Sequence, residues 1–221
     1  MTTQAADSQI NHADAINYWE GIEASDDGML GGFPYISRVD IQGSKNFLGK
    51  LGVKGAKLGR AVDCGAGIGR ITKALLLSVA DTVDIVEPVT KFSSALIDQP
   101  GVGQIYSVGL EAWTPDAETK YDLMWNQWCL GHLTDSQLVE YLQKCGKMLN
   151  ENGWIIVKEN MSTHAGNDMF DELDSSVTSV RTDEKFRALF EKAGLKLMKT
   201  ELANGFPKRL YPVRIYALKP E

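Results

Sequence analysis

Disulfides are the first thing this sequence lacks. Its 221 residues hold three cysteines, Cys64, Cys129 and Cys145, an odd number with no C-x-x-C pair. That argues against a disulfide scaffold or a zinc finger and reads as reduced thiols in a cytosolic protein. The histidines, His12, His132 and His164, add no ligand cluster, so no metal is expected. Basic charge is short as well: 23 Lys and Arg stand against 29 Asp and Glu, a net charge of −6. Nucleic-acid binding through phosphates needs a basic face, and this balance argues against it. No apolar run approaches the ~18 residues of a membrane span. The opening "MTTQAADSQI" has neither a basic region nor an apolar core, so no signal peptide is expected. The expectation is a cytoplasmic protein, with the nucleus left open, and no nucleic-acid or membrane partner.

What is present is ordinary globular material, 43% hydrophobic and 24% charged, enough for a core without staples. Over Asn11–Glu23, Ala15, Tyr18, Trp19 and Ile22 recur at helical spacing. "SDDGMLGGF" follows, with its glycines and aspartates, and predicts a loop. A weaker apolar face predicts a second helix over Ile41–Leu51. Residues 1–55 therefore read as a helical lid and gating loop, and 56–221 as the main domain.

From Ala61 the rhythm changes. "RAVDC", "TVDIVEP", "GQIYSVGL", "YDLMWNQW" and "GWIIVKEN" read as strands, with helical patterns between most of them. Thr134 and Gln137 have the spacing of a capping box, and Gly194 sits where a helix-closing glycine belongs. "LKLMKTEL" and "VRIYALKP" add two strands with no helix between them. The pattern predicts an α/β fold, a seven-stranded, mostly parallel sheet with an N-terminal helical extension and a terminal hairpin at the sheet edge.

The chemistry concentrates at "VDCGAGIGR". Asp63 ends a strand, and Gly65, Gly67 and Gly69 let the backbone turn sharply beside a ligand. A dinucleotide fingerprint, G-x-G-x-x-G, fails at Arg70. An acid two residues before the first glycine, with glycines spaced two and two, resembles the opening of the class I S-adenosylmethionine methyltransferase motif. Glu87, at the end of the next strand, can accept hydrogen bonds from both ribose hydroxyls. A nicotinamide enzyme remains the competing reading of this turn. In "NDMFDELDSSV", Asp168 and Glu172 read as solvated, whereas Asp171 and Asp174, three apart, would share a face. His12 and His164 read as surface residues. Trp113, Trp125 and Trp154 read as packing, and Trp128, past a strand end, lies where parallel sheets bind ligands.

"DGMLGG", "DCGAGIGRITK", "QWCLGHLTD", "KEN" and "DSSV", in this order, resemble the α-N-terminal protein methyltransferases, nearest to the fungal members. The similarity runs from about Tyr18 to Leu218. It implies a Rossmann-like class I methyltransferase fold whose cofactor is S-adenosyl-L-methionine, leaving S-adenosyl-L-homocysteine. It implies protein substrates, ribosomal proteins among them, that begin Xaa-Pro-Lys after methionine removal, and a monomeric enzyme. By resemblance, Trp19, Gly65, Gly67, Arg70, Glu87, Leu110, Glu111 and Gln127 would hold the cofactor. Leu30, Ile36, Trp128, Asn160, Asp171, Ser176, Leu210 and Tyr211 would hold the substrate, with Trp128 against its proline. His132 and Asp174 would handle the amine proton. "KRL" before Tyr211 departs from the acid and isoleucine of animal members, so an acidic contact from Arg209 is not expected.

The reaction sets its own demands. An α-amine has a pKa of about 7.7–8.0, so much of it is protonated at neutral pH and unreactive. The site must accept a proton and aim the lone pair. An unperturbed imidazole, titrating near pH ~6.5, would suit His132 for that task.

Overall fold

The computed structural model describes residues 5–53, 57–162, 170–177 and 181–221. The expected boundary at 55/56, His164 and Asp168 lie outside them.

Three helices lead into the sheet: α1 (His12–Gly21), α2 (Asp26–Met29) and α3 (Ser37–Lys50). Asn11 caps α1 by accepting from the Ala13 and Asp14 amides. The stretch expected to be pure loop contains α2. Ser25 supplies the cap that starts it, accepting from Gly28 N at 3.2 Å. A side chain at Gly28 would collide with the Glu23 carbonyl oxygen at 2.2 Å, so this tight turn requires glycine. α3 starts four residues earlier than expected, directly after the 3-10 turn Pro34–Ile36. Its polar first turn hid that start, because Asp40 is buried there for electrostatic reasons.

The strands are β1 (Leu58–Cys64), β2 (Ala80–Val86), β3 (Val102–Tyr106), β4 (Tyr121–Gln127), β5 (Leu149–Asn160), β6 (Leu195–Leu202) and β7 (Val213–Pro220). They form one sheet in the order β3-β2-β1-β4-β5-β7-β6. The pairs from β3 through β5 are parallel, and β7 runs antiparallel to both β5 and β6. The final hairpin is there, with β7 inserted inside the edge. Between strands lie α4 (Arg70–Ala74), α5 (Thr90–Ser93), α6 (Asp135–Met148) and α7 (Asp183–Lys192). α4 and α5 are short, each followed closely by a 3-10 turn. The Thr134–Gln137 capping box opens α6, and Gly194 follows α7 at φ 71°.

Two apolar layers sandwich the sheet. One packs α6 and α7, through Leu138, Tyr141, Leu142, Phe186 and Phe190, onto Val62, Met124 and Val157. The other packs Phe47 and Leu48 of α3 with Ile71 and Leu75 onto Ala61, Val83, Trp125 and Ile156. Trp113 and Trp125 are core residues, and Trp154 lies half-buried under Lys219. The strand order reverses between β1 and β4, both leaving from the same central position. A crevice opens there beyond the carboxyl ends of the strands, the usual place for a ligand in an open α/β sheet.

Candidate active site

The crevice is a cavity of about 160 Å³. Trp19, Gly65, Gly67, Arg70, Glu87, Leu110, Glu111 and Gln127 all line it, as do Trp128 and His132. The glycine turn forms one wall. Gly65 and Gly67 have φ of 67° and 55°, and side chains there would meet Cys129 Cβ at 2.4 Å and Met29 Sδ at 2.7 Å. The opposite wall is the α1 face His12, Ala15, Ile16 and Trp19, one helical stripe. His12 is therefore not a surface residue. It is half-buried on the cavity wall, with its Nε2 3.1 Å from Gln137 Nε2. Helical spacing from Trp19 back to His12 was the available signal. Lys91 fixes the end of α1 over the cavity by donating to the carbonyls of Glu20 and Ile22.

Glu87 is buried, and each of its oxygens accepts one backbone amide: Gly67 N on Oε2 and Val89 N on Oε1, both at 2.8 Å. Burial pushes its carboxyl up to about 7 against those two bonds. Each oxygen keeps a lone pair free for a further donor. Asp63, under the glycine turn, is pushed up to about 6 by burial, although the Thr72 hydroxyl donates to it at 2.6 Å.

Arg70 and Gln127 are tied from behind by Asp40. Asp40 Oδ2 accepts from Arg70 Nη1 at 2.8 Å and from Gln127 Nε2 at 2.9 Å, while Lys158 pairs with Oδ1. Gln127 Oε1 accepts from Trp125 Nε1 at 3.1 Å. Burial works to raise the Asp40 pKa, but Lys158 and Arg70 outweigh it and hold it low. One carboxylate thus faces two cations. Of the two, Arg70 lines the cavity, and its guanidinium fits the carboxylate of an amino-acid-bearing nucleoside such as S-adenosylmethionine. Arg70 also lies over the Trp128 ring, 5.5 Å from its centroid.

β4 ends at Gln127, and Trp128 turns the chain at φ 55° into the 3-10 turn Leu130–His132. Trp128 Nε1 is buried without a partner among the described residues. His132 Nε2 accepts from Trp19 Nε1 at 3.3 Å, so the ring proton resides on Nδ1. Burial lowers its pKa to about 4, helped by His12 and opposed by the Ser175 backbone and Glu111. The expectation of an imidazole near its ordinary pKa is corrected: desolvation wins.

The remaining substrate candidates lie on a rim outside the cavity. Asp171 and Ser176 pair backbone to backbone, closing a turn that carries Asp174. Asp174 accepts from the Ser176 hydroxyl, and its carboxyl is raised by burial. The turn is docked twice, by Val177 N on Gly131 O at 2.8 Å and by Asn11 N on Ser175 Oγ at 2.8 Å. Tyr18, next to Trp19, feels the charges of both Asp174 and Asp171. Asn160 ends β5, half-buried, and Met161 N bonds Pro212 O at 2.7 Å, next to Leu210 and Tyr211. Arg209 spans from there to the gating loop between Leu30 and Ile36, donating to Tyr35 Oη at 3.0 Å and stacking on Phe33. Leu30 and Ile36 are themselves buried.

A family model described as AdoMet dependent proline di-methyltransferase matches residues 7–219. Alpha N-terminal protein methyltransferase 1 of Schizosaccharomyces pombe is 44% identical over 220 residues, covering 97% of this chain and 98% of that one. N-terminal Xaa-Pro-Lys N-methyltransferase 1-A of Xenopus laevis is 39% identical, covering 99% and 100%. A solved SAM-dependent methyltransferase from Leishmania major superposes with a TM-score of 0.86 at 37% identity, covering 94% of this chain and 82% of that one. With a model matched nearly end to end and relatives this similar, the chain belongs to the AdoMet-dependent α-N-terminal protein methyltransferase family.

Proposed function

We propose that this protein transfers methyl groups to the free α-amine of proteins that begin Xaa-Pro-Lys, ribosomal proteins among them, in the cytoplasm and nucleus. The observation that carries this reading is the docking of the Asp171–Ser176 turn onto the turn bearing Trp128 and His132. It brings the turn that carries Asp171 and Asp174 against the turn that carries Trp128 and His132, both of which line the cavity. A segment with a cationic amine, a flat proline and a lysine matches that set. Paired charges of this kind give specificity more than raw affinity.

S-adenosylmethionine supplies an electrophilic methyl group on sulfur. The residues that would hold it are Glu87 through the ribose hydroxyls, Arg70 through the carboxylate, and Trp19, Gly65, Gly67, Leu110, Glu111 and Gln127 around it. Asp174 would hold the incoming ammonium and take its proton, since a carboxyl raised by burial is a better base than an exposed one. His132 takes a different part from the one its type suggests. With Nε2 engaged by Trp19 and a pKa near 4, it stays neutral and shapes the amine site, and it accepts a proton only if the indole moves aside. Alignment of amine and methyl group would supply much of the rate.

Asp174→Asn tests the assignment. Turnover on a Ser-Pro-Lys peptide should fall at least about 100-fold, with cofactor affinity, read by calorimetry, unchanged. Equal loss of both would contradict the role. An N-acetylated peptide should neither react nor compete. Strong inhibition by it would point instead to a site indifferent to the amine.

A further inference from the structure

Glu159 stands one residue before Asn160 on β5 and is buried. It does not line the cavity. Its Oε1 accepts the amides of Cys129 and Leu130, each at 3.0 Å. These are the two residues after Trp128, whose left-handed backbone is costly for a bulky side chain. Without that oxygen, two buried N–H groups would be orphaned just where the chain is strained. On the carbonyl side of the same turn, buried Arg181 donates to Leu130 O at 2.9 Å and to Leu133 O. Gly131, in the middle, accepts the Val177 amide that docks the acidic turn.

We propose that Glu159 is a positioning residue for the substrate's N-terminal segment. It clasps the Trp128–His132 turn, and through it sets Trp128, His132 and the docked Asp174 turn relative to one another. This rests on the peptide-methylating function proposed above.

Several groups face Glu159. Arg181 lies nearby, itself paired with Asp135 at 3.1 Å. The Cys129 thiol, pushed up by burial, stays protonated. Arg214 is opposite on β7, drawn away toward Asp183, and the Tyr216 hydroxyl also bonds Asp183. Burial dominates and pushes the Glu159 carboxyl up to about 7, with the Leu130 and Cys129 amides and Arg181 pulling back. A carboxyl raised on folding costs stability above its folded pKa, and that cost is relieved as the pH falls through about 7.

The test is affinity for a peptide beginning N,N,N-trimethyl-Ser-Pro-Lys, whose quaternary amine cannot titrate, measured by calorimetry with saturating S-adenosylhomocysteine. Glu159→Leu, which removes the acceptor, should weaken peptide binding about tenfold with S-adenosylhomocysteine affinity unchanged. Glu159→Gln, which keeps a carbonyl oxygen for the Cys129 and Leu130 amides, should bind within about threefold of wild type. The proposal is overturned if Glu159→Leu binds the peptide within about threefold of wild type, or loses peptide and S-adenosylhomocysteine affinity together, or if Glu159→Gln binds as weakly as Glu159→Leu. Failure of wild type to bind the peptide at any pH would sink the functional reading as well, which distinguishes the two failures.

Discussion

Both oxygens of Glu87 already accept backbone amides, and its carboxyl is nevertheless held at about 7 by burial. An acceptor for ribose hydroxyls must be ionised. Ligand binding therefore favours the deprotonated form, and affinity is lost as the pH falls through about 7. Calorimetric titration of S-adenosylhomocysteine should show that decline, and Glu87→Gln should bind weakly at every pH. A pH-independent wild-type affinity would contradict the assignment. His132 makes the opposite statement. Its imidazole should stay neutral down to a pH of about 4, as read by NMR of the ring protons. Trp19→Phe keeps the ring and removes the donor to Nε2, so it should raise the His132 pKa. Residue type was legible at these positions and protonation was not, because burial by chain segments distant in sequence sets it. His12 was misread although its helical spacing from Trp19 puts both on one face of α1, the face that lines the cavity.

At the scale of elements, α3 is joined to the sheet by a buried charge cluster as well as by Phe47 and Leu48. Asp40 is fully buried and binds Lys158 of β5, Arg70 of α4 and Gln127 of β4. Removing one partner of a buried pair leaves the others uncompensated, at a cost of about 3–5 kcal/mol. Asp40→Ala should lower stability by about that much in urea unfolding. Adding Lys158→Met should recover part of the loss, because one orphaned cation is then gone. A loss below about 1 kcal/mol would mean that the cluster is solvated. The strands, the capping box before α6 and the glycine after α7 were legible because each follows from local pattern. α2 and the early start of α3 were not, since both depend on partners far along the chain. The sequence shows Asp40 as one more polar residue in a weak helix, and only the fold brings it to Arg70 and Lys158.

For the whole molecule, function follows from two ligand environments meeting at one strand exit. The cavity beneath α1 holds the candidates for the cofactor, and the rim of Asp171, Asp174, Asn160 and Tyr211 holds those for the substrate. Trp128 and His132 stand between them. Motif order made the family legible, and the βαβ rhythm made the sheet legible. The docking of the acidic turn by Val177 and Asn11 was beyond reach, because backbone bonds to Gly131 and to the Ser175 hydroxyl carry no sequence signature. The central claim is transfer to a free N-terminal amine in an Xaa-Pro-Lys setting, and mass spectrometry tests it most directly. A Ser-Pro-Lys peptide incubated with the protein and S-adenosylmethionine should gain one or more methylene masses, located by fragmentation on the first residue. An unchanged peptide, or methylation of the lysine side chain instead, would contradict the account.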